Sequence, residues 1–102
     1  MVPLITQNLS AIEELCKQYG VKRLDVFGSA ADGTFEPGRS DVDLLVEFTK
    51  KPLEKYADDF WAFLFALEKL FGTRVDLVEV QAQKNRYFMQ SVNATKQTLY
   101  AA

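Results

Sequence analysis

The stretch GSAADGTFEPGRSDVD, residues 28–43, decides how the chain reads. It joins two apolar runs, Val21-Lys22-Arg23-Leu24-Asp25-Val26-Phe27 and Val42-Asp43-Leu44-Leu45-Val46-Glu47-Phe48. Both are rich in β-branched and aromatic residues and bounded by turn formers, the pattern of strands. Side chains alternate between the two faces of a strand. Val42, Leu44, Val46 and Phe48 therefore share a core face, and Asp41, Asp43, Leu45 and Glu47 share the other. That second face carries two carboxylates at the strand's entrance, and a cation between them would relieve their repulsion. Hard oxygen ligands so arranged suit Mg²⁺, which takes one or two protein carboxylates and leaves its other positions to water and substrate phosphates. At the exit of the first strand, Gly28 lets the backbone approach a ligand closely. Ser29 offers a hydroxyl, and an amide at the mouth of a short helical turn, both suited to phosphate oxygens.

The composition narrows the chemistry. With 102 residues, 48% hydrophobic and 25% charged, the chain is expected to fold as one domain over residues 1–102 around a single core. No apolar run approaches the roughly 20 residues of a membrane span. Met1-Val2-Pro3-Leu4-Ile5 has neither a basic region nor a long apolar segment, so no signal peptide is expected. A net charge of −2 leaves no basic stripe for general binding of nucleic-acid backbone. The lone Cys16 excludes an internal disulfide and fits a reducing, cytoplasmic compartment. Falling on the apolar side of a predicted helix, it reads as a buried structural thiol. The absence of histidine excludes a Ser-His-Asp triad, a Cys-His pair and a histidine-ligated zinc site.

Helical periodicity predicts a first helix over Asn8–Tyr19, with a Ser10/Glu13 capping box or Asn8 as cap, and Gly20 ending it. Ser29 to Asp32 fits one helical turn, followed by a loop through Pro37-Gly38. Lys50-Lys51-Pro52 reads as a solvated link. A long helix follows over Leu53–Phe71, stopped by Gly72, whose stripe of Leu53, Tyr56, Ala57, Phe60, Phe63, Leu64, Leu67, Leu70 and Phe71 faces the sheet. Trp61 and Phe65 lie at the stripe's edge, either as core periphery or as a partner surface. Arg74–Val80 reads as a third strand. Asp76 stands there amid apolar residues, where an unpartnered carboxylate is costly. A shared metal is one solution and a rim position facing water is another. A last helix from about Gln83 to Ala94 and a short edge strand at Thr98-Leu99-Tyr100 complete the chain.

Gly28-Ser29, about a dozen residues, then Ser40-Asp41-Val42-Asp43-Leu44-Leu45-Val46 on a strand resembles the signature of the polymerase-beta-type nucleotidyltransferase superfamily. The short chain resembles its smallest members, the minimal nucleotidyltransferases (MNT), many of them paired with a helical HEPN protein as toxin and antitoxin. The resemblance covers most of the chain. It implies a third metal-binding carboxylate on a later strand, for which Asp76 is the candidate and Asp25 the weaker alternative. It also implies ATP as donor and a tyrosine hydroxyl of a HEPN toxin as acceptor. The sequence departs from the family where Gly-Ser is often followed by Arg-Ala-Arg-Gly. Here Ala30-Ala31-Asp32-Gly33 stands instead, and the spacer to the Asp pair is about one residue longer. Arg39 is the candidate substitute.

Carboxylates, a phosphate-holding Gly-Ser and no histidine point to metal-assisted phosphoryl-group chemistry, in which a protein mainly positions substrate and stabilises charge. The expected roles are Asp41, Asp43 and Asp76 as catalytic Mg²⁺ ligands, with Gly28, Ser29 and Arg39 holding the nucleotide. A weakened relative that masks a HEPN-type partner is the alternative. The expected architecture is α/β: a small mixed sheet with helices mainly on one face and the acidic site open on the other. So small a unit would have a shallow site, completed by a partner chain or by a second copy in a homo-oligomer.

Overall fold

The computed structural model describes residues 1–82 and 84–102. Strand β1 spans Val21–Phe27 and β2 spans Val42–Phe48. They pair antiparallel, with Leu24 opposite Val46, Val26 opposite Leu44 and Phe27 opposite Asp43. Strand β3, Val75–Glu79, runs parallel to β2, and β4, Gln97–Ala101, runs antiparallel to β1. The sheet is therefore mixed, in the order β3-β2-β1-β4. The third strand ends one residue before its predicted end because Val80–Ala82 wind into a 3-10 turn. The Glu79 carboxylate closes that turn by accepting the Ala82 amide at 2.9 Å.

Alternation sorts the two faces as the sequence implies. Val42, Leu44 and Val46 are fully buried and Phe48 nearly so, alongside Leu24, Val26, Val75 and Leu77. Four helices cover this face: α1 (Pro3–Thr6), α2 (Leu9–Gln18), α3 (Ser29–Asp32) and α4 (Leu53–Phe71). Helix α1 has no counterpart in the sequence reading, yet its Ile5 is fully buried. Proline at its first position costs nothing there, since that amide has no intrahelical partner.

Neither predicted cap operates on α2, because the Asn8 side chain turns backwards and donates to the Leu4 carbonyl at 2.7 Å, tying α1 to α2. Cys16 is buried in the core, where desolvation, then the charge of Glu13, pushes its thiol up to about 12. The α4 stripe is narrower than predicted. It begins at Tyr56 and centres on Phe63, Leu67 and Phe71, while Leu53 is 82% exposed in the first turn. Lys51 overturns the reading of a solvated link. Its side chain is only 8% exposed because its ammonium meets the Asp59 carboxylate at 2.9 Å, the Tyr19 carbonyl at 2.8 Å and the Phe48 ring at 4.8 Å. Among the described residues, no helix is long and apolar enough to cross a membrane.

The fifth helix, α5, spans Arg86–Thr95 and lies on the opposite face. Its predicted start, Gln83, lies outside the described residues; Asn85 caps it, accepting from the amides of Tyr87 and Phe88 at 2.9 and 3.2 Å. Val92 packs with Phe27 and Leu45 in a second, small core. The acid-bearing face is thus covered in its middle rather than open throughout, which explains why Leu45, on the same face as the carboxylates, is 3% exposed. Phe88 adds an edge-to-face contact with Phe27, ring centroids 6.0 Å apart. Val92→Ala should cost about 1–3 kcal/mol, since Val92 is fully enclosed. Urea titration checks the value, and an unchanged midpoint would contradict the packing of α5.

Candidate active site

The carboxylates meet where three strand ends converge. Asp43 is the second residue of β2, and its partner in the parallel register is Asp76 on β3. Adjacent strands lie about 4.8 Å apart, so the two side chains stand beside each other on one face. Asp41, two residues before Asp43, shares that face. Burial first, then the charges of Asp76 and Asp41, push the Asp43 carboxyl up from its ordinary 3.8 to about 6. The three groups are therefore within electrostatic reach. Among the described residues, however, no group of three or more such side chains is gathered closely enough to cage a metal. Asp41 is 44% exposed and its Oδ1 lies 3.7 Å from the Arg74 guanidinium. Two adjacent carboxylates and a third within reach fit a cation that keeps water and phosphate in its remaining positions.

The other wall of the site is backbone. Gly28 follows β1 with φ +67°, a conformation that favours glycine. A Cβ built there would stand 2.5 Å from Asp43 Oδ2, so a side chain at this position would have to displace that carboxylate. The Gly28 amide donates to the Thr95 hydroxyl at 2.9 Å. Thr95 is the last residue of α5 and was missed in the sequence; its local pattern carries no signal, because the contact spans 67 positions. Ser29 opens α3, whose Ala31 and Asp32 amides both return to the Gly28 carbonyl at 3.0 Å. That leaves the amides of Ser29 and Ala30 at the head of the turn.

The remaining candidates fall outside this cluster. Arg39 is 82% exposed and its guanidinium lies 3.4 Å from Glu36. Asp32 accepts from the Thr34 amide and hydroxyl at 2.9 and 2.6 Å, contacts that hold its carboxyl below the usual range. Those donors keep it ionised and tie it to the turn. Asp25, the weaker alternative to Asp76, is 3% exposed and paired through both oxygens with Arg23 at 3.2 Å. It stands opposite Leu45, one pair further along the acid face than Asp43. A polar cavity of about 220 Å³ is lined by Gly38, Arg39, Ser40, Asp41, Thr73 and Arg74. A larger apolar cavity, about 610 Å³, shares Gly38 and Thr73 with it and is walled by Leu4, Phe35, Pro37 and Phe71.

Residues 10–100 match the nucleotidyltransferase domain family. The chain belongs to that family. It is 30% identical over 94 residues to the protein MJ1379 of Methanocaldococcus jannaschii, named provisionally as a protein adenylyltransferase, covering 84% of this chain and 92% of that one. It is 38% identical over 80 residues to the protein adenylyltransferase MntA of Thermococcus cleftensis, covering 72% and 70%. A solved structure described provisionally as a minimal nucleotidyltransferase superposes with a TM-score of 0.75 at 33% identity, over 94% of this chain and 95% of that one. Two toxin–antitoxin complexes share the fold. One holds AMP-PNP, with a TM-score of 0.72 at 22% identity over 93% and 74% of the chains. The other is a tri-AMPylated HEPN toxin with its MNT antitoxin from Shewanella oneidensis, at 0.65 and 18% over 95% and 72%.

Family membership makes the chain a nucleotidyltransferase enzyme, of a kind that generally uses a divalent metal. The raised Asp43 pKa has a stability consequence. The unfolded chain releases this proton near 3.8 and the folded chain near 6. Ionised Asp43 therefore costs stability as pH rises through that window, and the cost is complete above it. Asp43→Asn should stabilise the metal-free protein at pH 7.5 by about 1 kcal/mol, discounted for partial exposure, or a few degrees in Tm. The gain should vanish near pH 3.5. Calorimetry at the two pH values checks this, and destabilisation at pH 7.5 would contradict the repulsion.

Proposed function

We propose that residues 1–102 form one minimal nucleotidyltransferase domain that transfers AMP from ATP to a hydroxyl of a partner protein, with Mg²⁺ as its metal. The observation that carries this reading is the register-matched pair Asp43–Asp76, with Asp41 beside it, facing the Gly28 backbone, where a Cβ would meet the Asp43 carboxylate. The named relatives support AMP as the group transferred and a protein as acceptor. The toxin–antitoxin complexes support a HEPN-type toxin as partner, with this chain as antitoxin. A tyrosine hydroxyl is the acceptor the family resemblance implies.

In this reading Asp41, Asp43 and Asp76 hold the metal. When bound, the metal neutralises the triphosphate and favours ionisation of the attacking hydroxyl. The Ser29 hydroxyl and the amides heading α3 hold the terminal phosphates, and Thr95 keeps the Gly28 backbone in place beneath them. Arg39 joins them only by leaving Glu36. Asp76, exposed on the edge strand, receives the proton of the incoming hydroxyl. The hydroxyl oxygen bonds to the α-phosphorus, the bond from that phosphorus to the bridging oxygen breaks, and pyrophosphate leaves.

Intact-mass spectrometry of the protein with the product of its neighbouring gene, ATP and Mg²⁺ tests this. The partner should gain the mass of AMP. Chelation of the metal, or Asp41→Ala with Asp43→Ala, should abolish the gain. A mass gain that survives the double substitution would overturn the reading.

A second reading rests on a different observation. Trp61 and Phe65 are 56% and 63% exposed, with ring centroids 6.3 Å apart on one face of α4. They are therefore not core periphery. Large aromatics so placed are characteristic of binding hot spots. With Ala30 and Asp32 where relatives carry arginine, the chain would neutralise its partner by covering it. The Asp41/Asp43 double variant should then still neutralise the toxin. Trp61→Ala with Phe65→Ala should weaken the complex at least tenfold by calorimetric titration, and an unchanged Kd would remove this surface from the interface.

A further inference from the structure

Arg74 borders the site, and the reading above gives it no function. It immediately precedes β3, and its carbonyl accepts the Val42 amide at 3.0 Å, which locks its backbone to the start of β2. Val42 pairs with Val75 and Asp43 with Asp76, so Arg74 stands beside Asp41 in the same ladder. Alternation gives Arg74 the same face as Asp76. The guanidinium is 85% exposed, and its ion pair is a 3.7 Å contact with Asp41. An exposed pair at that separation is weak and exchanges readily for a better partner. Arg39 lines the same small polar cavity, also exposed and only loosely engaged with Glu36 at 3.4 Å.

The strand order gives this position its meaning. Gly28 and Ser29 follow β1, on one side of the β2 carboxylates, while Asp76 in β3 and Arg74 just before it lie on the other. With the terminal phosphates held at Ser29, the β- and γ-phosphates leave together as pyrophosphate toward the β1 side, and the α-phosphorus passes to the acceptor oxygen. In-line displacement brings the attacking hydroxyl from the opposite direction, which is the β3 edge. Three carboxylates crowd that approach and repel any acidic acceptor. Among the described residues, Arg74 is the cation whose ion pair reaches them.

We propose, resting on the nucleotidyl-transfer reading, that Arg74 is the acceptor-recognition residue, pairing with an acidic side chain of the protein segment that presents the hydroxyl. The enzyme therefore selects acceptor hydroxyls flanked by Asp or Glu. Selection acts on acceptor binding rather than on the donor, so it appears in KM for the acceptor and leaves KM for ATP unchanged.

The test uses the full chain with ATP, Mg²⁺ and tyrosine peptides that differ only in carrying Glu, Gln or Lys beside the tyrosine. Wild-type protein should favour the Glu peptide over the Gln peptide by about fivefold in kcat/KM, through acceptor KM. Arg74→Gln should erase that preference. Arg74→Glu should invert it in favour of the Lys peptide, a rescue that a merely structural role for Arg74 does not produce. An equal loss on all three peptides would overturn the assignment and leave Arg74 as a support for Asp41. Wild-type transfer with no preference, or with preference for Lys, would overturn it too. No transfer to any peptide or to the partner would overturn the nucleotidyl-transfer reading itself, and the assignment with it.

Discussion

The structure depends on holding Asp43 where it is least comfortable. Its carboxylate is partly desolvated, stands beside Asp76 across a parallel strand pair, and has Asp41 two residues away. A loop would relax such crowding by moving. β2 cannot, because β1 and β3 bond it on both sides, and its alternate residues Val42, Leu44 and Val46 are fully buried against the helical layer. Each of those burials is worth about 1.5–3 kcal/mol, more than the repulsion costs. The four helices on the apolar face thus serve the acidic face: they supply the stability that keeps like charges adjacent.

The helix on the acidic face has a different task. Through Val92 it covers Leu45 and Phe27, and through Thr95 it fixes the Gly28 amide. Gly28 must stay close to Asp43, and a Cβ would fill the gap. The segment bearing Ser29 is therefore anchored from both ends of the chain: by Thr95 behind, and by the Val2 amide donating to the Ala30 carbonyl at 3.1 Å in front. The short turn of α3 is held in this way without arginines of its own.

Much of this was legible in the sequence because strand alternation is a local rule. Val42–Phe48 sorted its own faces, and the short turn at Ser29–Asp32 and the long helix stopped by Gly72 followed from local spacing. What escaped was non-local. Thr95 has no distinguishing neighbours. Lys51 reads as solvated until Asp59, eight residues on, and Tyr19, just after α2, converge on it. Leu45 lies on the acidic face by parity, and only the path of α5 explains its burial. The α2 cap failed because Asn8 had a competing use, bonding back to Leu4. Register also told more than composition: the sequence offered Asp25 and Asp76 as third carboxylates, and only pairing could place Asp76 beside Asp43 and leave Asp25 with Arg23.

The distribution of positive charge carries the last step. The family pattern that the sequence resembles often has arginines after Gly-Ser; this chain has Ala30 and Asp32 there, and the Asp32 carboxylate is kept ionised by the Thr34 amide and hydroxyl. Two of its four arginines, Arg39 and Arg74, line the small polar cavity beside Asp41. With Arg74 in the proposed role, discrimination would rest on the partner more than on the nucleotide. Metal and backbone amides can hold a triphosphate, because phosphate needs charge and donors but no particular side chain. A protein acceptor has no such generic handle. Its recognition must come from side chains at the rim, and in so small a chain the β3 edge and its Arg74 are the rim that is available.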